Sequence, residues 1–159
     1  GSFVKEFAHH LHQDPEYREK AQRISAMTRD LSEVVPESAV EKKTNAGRVA
    51  FQSPCSLQHG QQLRGKVEGL LRAAGFELTP VAEGHLCCGS AGTYSIVQPE
   101  LSGKLRERKL SALAAGDPGA IATANIGCLV HLQAATRTPV RHWIQLLDGS
   151  SGSAENSPP

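Results

Sequence analysis

From Arg48 onward, short apolar stretches alternate with amphipathic ones at helical spacing, and no other feature of the chain restricts its fold as strongly. The segment RVAFQ (Arg48–Gln52) predicts a strand, Leu57–Ala74 a helix ended by Gly75, Phe76–Val81 a strand, and Pro99–Ala115 a helix ended by Gly116. Ala120–Ala124 then predicts a strand, Gly127–Thr136 a helix, Thr138–His142 a last short strand and Trp143–Leu147 a closing helical turn. Strands separated by helices are joined by crossovers, and crossovers place strands side by side in the same direction.

The expected fold class is therefore α/β: a mainly parallel, Rossmann-like sheet covered by helices. Before it, Phe3, Phe7, Leu11, Tyr17, Ile24, Met27, Leu31 and Val34 fall at three-, four- and seven-residue steps, which predicts a helical pair over 3–35, with Asp14-Pro15 as N-cap and first position of the second segment. The polar stretch PESAVEKKTNAG at 36–47 reads as a linker, and the Ser/Gly/Pro-rich residues 149–159 as a disordered tail. Gly1-Ser2 resembles the scar of a cleaved tag, so the chain reads as a piece of a longer protein, with one domain at 48–148 and appendages around it.

Lysine and arginine number 17 against 16 acidic residues, so no basic field points to nucleic acid or to an anionic membrane surface. No apolar run approaches a membrane span and no signal segment opens the chain. Both readings suit a reducing, cytoplasmic setting, where cysteines serve as metal ligands or reactive groups more than as disulfides.

Four cysteines are present, two of them adjacent, in GHLCCGSAG (Gly84–Gly92). A disulfide between neighbours is disfavoured by the geometry of the bridge, which leaves inert buried thiols or thiolate ligands. Cys55 follows the first strand, Cys87 and Cys88 follow the second, and Cys128 begins the helix after the third. All four thus fall just past carboxyl ends of strands, where an open parallel sheet gathers its loops into a crevice. Gly89, Gly92 and Gly127 would let backbone N–H groups approach negatively charged sulfur, and a helix N-terminus would favour the Cys128 thiolate.

The segments PCSLQHGQ, LCCGSAGTYSIVQPELS, TANIGCLVHLQ and TPVRHWIQLLD together resemble the C-terminal cysteine-rich (CCG) domain of glycolate oxidase iron–sulfur subunits. The wider group includes the heterodisulfide reductase B subunit. The family pattern is a cysteine, roughly thirty residues, Cys-Cys-Gly, roughly thirty-five residues, then Cys-x-x-Cys. The last pair would fall on positions 125 and 128, and position 125 is asparagine, so four cysteines stand where the fullest motif has five.

The resemblance implies an electron-transfer domain of a multi-subunit 2-hydroxy acid dehydrogenase. It would pass electrons from FAD-binding subunits towards a membrane-associated acceptor, and would sit in the cytoplasm or peripherally at the inner membrane. It further implies Cys55, Cys87, Cys88 and Cys128 as ligands of one [4Fe–4S] cluster, with zinc or an empty site in an air-purified fragment. Asn125, Gly89 and Gly127 would then support the sulfurs from behind.

His131, His85 and His59 lie near cysteines in sequence and are candidate extra donors, although surface or half-buried helix positions explain each more simply. His9, His10 and His12 read as a solvated face, as do Arg64, Lys66 and the KLRERK run at Lys104–Lys109. The alternative function is an assembly module, zinc-bound or metal-free, that docks the flavin subunits. A nucleophilic thiol enzyme is the third reading, and it lacks a convincing base.

Overall fold

The computed structural model of the chain describes residues 1–148; the expected tail at 149–159 lies outside the described residues. Four strands form one sheet: β1 (Arg48–Gln52), β2 (Glu77–Leu78), β3 (Ala120–Thr123) and β4 (Val140–His142). Their order is β2-β1-β3-β4 and every pairing is parallel, with Arg48 opposite Glu77, Val49 opposite Ala120 and Ile121 opposite Val140. The α/β expectation holds.

Side-chain alternation divides the core between the two faces of the sheet. Val49 and Phe51 of β1 and Ala122 of β3 pack with Val67, Leu70 and Leu71 of the helix Lys66–Ala73, and with Trp143 and Leu146 of the helix Trp143–Leu147. Ala50 and Ile121 face the other way, onto Leu113 of the helix Pro99–Ala114 and Leu132 of the helix Ile126–Gln133. Each fully buried leucine here stabilises the fold by roughly 1.5–3 kcal/mol. In chain order the helices are α1 (Ser2–Lys5), α2 (Phe7–His10), α3 (Arg18–Met27), α4 (Leu31–Val34), α5 (Lys66–Ala73), α6 (Tyr94–Val97), α7 (Pro99–Ala114), α8 (Ile126–Gln133) and α9 (Trp143–Leu147).

Several elements differ from expectation. The helix expected over 57–74 is split into a single wide turn, Ser56–Gly60, and α5. Between them Gln62 and Gly65 hold positive φ, 57° and 77°, and no α-helix continues through such residues. The strand expected over 76–81 keeps only two residues in the ladder, because Pro80 has no N–H to donate and ends this edge strand. The expected helical pair is four short helices, in which the Asp14 carboxylate accepts from the N–H groups of Glu16 and Tyr17 and so caps the turn leading into α3. Residues 36–47 form a 3₁₀ turn at Glu37–Ala39, and Val40 and Ala46 pack against the core, so this stretch is seated on the domain. Among the described residues no helix is long and apolar enough to cross a membrane.

Candidate metal centre

Strand order sets the site. The chain leaves β1 to one side to make β2, then crosses back to the other side of β1 to make β3, so the loops after β1, β2 and β3 meet at the carboxyl end of the sheet. Beneath them the Thr123 hydroxyl donates to Gln52 Oε1 at 2.6 Å, a buried polar bridge between the ends of β3 and β1. Cys55 heads the Ser56–Gly60 turn. The buried Gln58 of that turn donates from Nε2 to the carbonyls of Ser53 (3.0 Å) and Gly84 (3.3 Å), tying the first cysteine loop to the second.

The second loop is held against α7. Gly89 has φ of 93°, and a Cβ there would lie 2.5 Å from the Ser102 carbonyl oxygen, so only glycine fits. The buried Ser102 hydroxyl donates to the Gly89 carbonyl at 2.9 Å, and the Gly89 N–H donates to Cys87 Sγ at 3.3 Å. Cys128 comes from α8, whose N-cap is Asn125: its Oδ1 accepts from the N–H groups of Gly127 (2.9 Å) and Cys128 (3.2 Å). Asn125 therefore acts here by fixing the helix that carries Cys128, and the Gly127 N–H is spent on that cap.

Cys128 Sγ donates to Cys88 Sγ at 3.0 Å, and Cys55 lies within electrostatic range of Cys87 and Cys88. Cys88 and Cys128 are buried, whereas Cys55 and Cys87 are half-buried. The S–H of Cys128, assisted by the Ser90 N–H and the Cys87 thiol, outweighs burial and draws the Cys88 pKa down to about 6. The same bond, with burial and the neighbouring sulfur charges, raises Cys128. Burial, then the charge and hydrogen bond of Cys87, push Cys55 up to about 11.

Sulfur is the only donor type in the set, and this chemistry fits a thiolate-bound metal or cluster. The spacing needs adjustment. Tetrahedral zinc with Zn–S of 2.3 Å separates its sulfurs by roughly 3.8 Å, against 3.0 Å between Cys88 and Cys128. Among the described residues no three His, Cys, Asp or Glu side chains stand arranged to hold a metal ion. Thiols that share protons draw together in pairs, whereas ligation needs thiolates spread around a centre.

The histidines bond to groups other than the sulfurs or line a separate cavity. His131 Nε2 lies 3.3 Å from the Ser102 hydroxyl, and burial followed by the Arg106 charge lowers its pKa. His85 is exposed and, with Arg64 and Arg72, lines an open cavity of about 610 Å³ beside β2 that none of the four cysteines lines. His59 is also exposed and approaches the His85 carbonyl at 3.3 Å.

One residue read as solvated is buried against the site. Lys109 is only 2% exposed, and its Nζ donates to the carbonyls of Glu83 (3.2 Å) and Gly84 (3.3 Å) in the turn before Cys87. Burial lowers its pKa, opposed by the charges of Cys55, Cys88 and Cys87. Helical phase carries the signal for this: Ser102, Lys109 and Leu113 share the buried face of α7, while Arg108 next to it faces out and pairs with the Glu83 carboxylate.

Comparison with known proteins matches the cysteine-rich CCG domain family model to residues 49–133. The chain is 48% identical, over 93% of its length and 37% of the relative's, to the glycolate oxidase iron-sulfur subunit of Escherichia coli K12. It is 33% identical to the probable glycolate oxidase iron-sulfur subunit of Bacillus subtilis 168, over 84% of this chain and 31% of that protein. Lactate utilization protein A of Geobacillus kaustophilus is 28% identical, over 82% of this chain and 56% of that protein. The chain thus spans about a third of the length of the first two relatives.

Proposed function

Because this chain belongs to the cysteine-rich CCG domain family, we propose that it is the cluster-binding part of an iron–sulfur subunit in an oxidase or dehydrogenase of 2-hydroxy acids such as glycolate. The observation that carries this reading is the meeting, at one end of the sheet, of four thiols from three separate loops. Cys55, Cys87, Cys88 and Cys128 would be the ligands of one [4Fe–4S] cluster, which supplies one-electron transfer when bound. The protein supplies the rest: the Asn125 cap orients Cys128, the Gly89–Ser102 contact orients Cys87 and Cys88, and Gln58 holds the Cys55 loop to theirs. Electrons would come from FAD-binding partner subunits and leave towards a membrane-associated acceptor, with the domain cytoplasmic or peripheral at the membrane. Residues 48–148 would be the cysteine-rich unit, 3–35 its lead-in and 36–47 the connector.

Anaerobic reconstitution with ferrous iron and sulfide tests the reading. The chain should take up iron and sulfide in equal amounts with a broad charge-transfer absorption, and Cys88→Ser should lose most of both while remaining folded. Absence of iron and sulfide from the wild-type chain would end the proposal. A structural zinc that serves docking of the flavin subunits is the second reading. It is favoured by the closeness of Cys88 and Cys128, which need part by only roughly 0.8 Å to reach zinc spacing. Stoichiometric zinc in protein made without air, with no iron, would select it.

A further inference from the structure

We infer that Lys109 is the internal countercharge of the cysteine site and the residue that positions the Cys87-Cys88 loop. This rests on the proposed thiolate-ligating role of the cysteines and extends it to a residue outside the cysteine motif.

An ammonium removed from water needs a compensating charge, since hydrogen bonds to neutral groups alone leave much of its desolvation cost unmet. Lys109 is 2% exposed, and both acceptors of its Nζ are neutral backbone carbonyls. The nearest carboxylate, on Glu83, is held from the outside by the Arg108 guanidinium. The Glu83 charge, already shared with Arg108, acts on Lys109 least, and the larger electrostatic contributions come from the sulfurs of Cys55, Cys88 and Cys87. Four thiolates converging in a half-dry crevice repel one another, and one fixed cation behind them lowers that cost.

The same side chain has a geometric task. Glu83 is a non-glycine residue at φ of 52°, a backbone conformation that persists only when its surroundings enforce it. Consecutive residues of α7 do so: Arg108 grips the Glu83 carboxylate and Lys109 grips the Glu83 and Gly84 carbonyls, three residues ahead of Cys87. The turn that aims the cysteine pair is therefore clamped to the helix that also seats Gly89 through Ser102.

Lys109→Gln keeps a donor for the carbonyls and removes the charge, Lys109→Met removes both, and Lys109→Arg keeps the charge. Each variant and the wild type would be checked for folding by circular dichroism and reconstituted anaerobically with ferrous iron and sulfide. Iron retention against a chelator and the midpoint potential would then be read. Lys109→Gln and Lys109→Met should bind iron about 10-fold more weakly and show a potential shifted to more negative values, and Lys109→Arg should restore the potential. Should Lys109→Met fail to fold, the Gln and Arg pair carries the comparison. A loaded wild type and Lys109→Gln with equal potential and equal iron retention would overturn the countercharge assignment alone. Iron loss without a change in potential would overturn it likewise and mark a packing role. A wild-type chain that takes up no iron and sulfide would overturn the functional reading, and this inference with it.

Discussion

At the scale of single residues, Gly89 concentrates the most constraint. It carries φ of 93°, hydrogen-bonds through N–H to Cys87 and through its carbonyl to Ser102, and leaves no room for a methyl group 2.5 Å from backbone oxygen. Gly89→Ala should destabilise the chain by about 2–3 kcal/mol through backbone strain and displaced packing, measurable as a lower urea midpoint with unchanged m-value. It should also raise the alkylation rate of Cys88, which is 1% exposed. The cysteines and this glycine were legible from sequence because chemistry and backbone requirement name residue types directly. Lys109 and the capping function of Asn125 were not, since a lysine inside a charged run and an asparagine replacing an expected cysteine acquire their roles only from the helix phase and the cap geometry around them.

Elements show the same division between local signal and tertiary context. Strands β1 and β3 were readable, being uninterrupted apolar runs between turn residues. The split between Ser56–Gly60 and α5 was not, because apolar spacing continues through Leu57, Leu63, Val67 and Leu70 across the break and all four pack on the same core. The cap of α9 carries a pH dependence. His142 Nδ1 accepts from the Ile144 N–H at 3.4 Å while Gln145 Oε1 accepts from the His142 N–H at 3.0 Å, and only a neutral imidazole can accept. Burial lowers the His142 pKa, opposed by a hydrogen bond with the Ala124 backbone and the Asp30 charge. The unfolded chain therefore binds the proton first as pH falls. This contribution to stability is fully present above the unfolded value of about 6.5 and is lost as pH drops through the folded value. Urea midpoints at a series of pH values should decline across that window in the wild type, and less steeply in His142→Asn, which keeps a cap that does not titrate.

For the whole molecule, the strand order β2-β1-β3-β4 matters more than any one element. It places a topological switch point between β1 and β3, and the three cysteine-bearing loops surround it. The alternation of strands and helices made the parallel sheet legible, while the order of strands within it came only from the structure. If the thiols bind a metal or cluster, loading couples to global stability, because the ligands join three crossovers that separate on unfolding. Melting temperature should rise on zinc or iron–sulfide loading and return to its starting value with a chelator, and Cys128→Ser should show a smaller rise by calorimetry.

The capped helix that delivers Cys128 is also the last part of the site to leave the ribosome. Synthesis proceeds from the amino end, so a growing chain carries Cys55, Cys87 and Cys88 for some forty further residues before their fourth companion exists. β3 and the Asn125 cap must then form to bring it alongside. An inorganic centre held by all four sulfurs would therefore have to wait until α8 has emerged, and a truncated product ending before α8 would present three cysteines without the helix that carries Cys128.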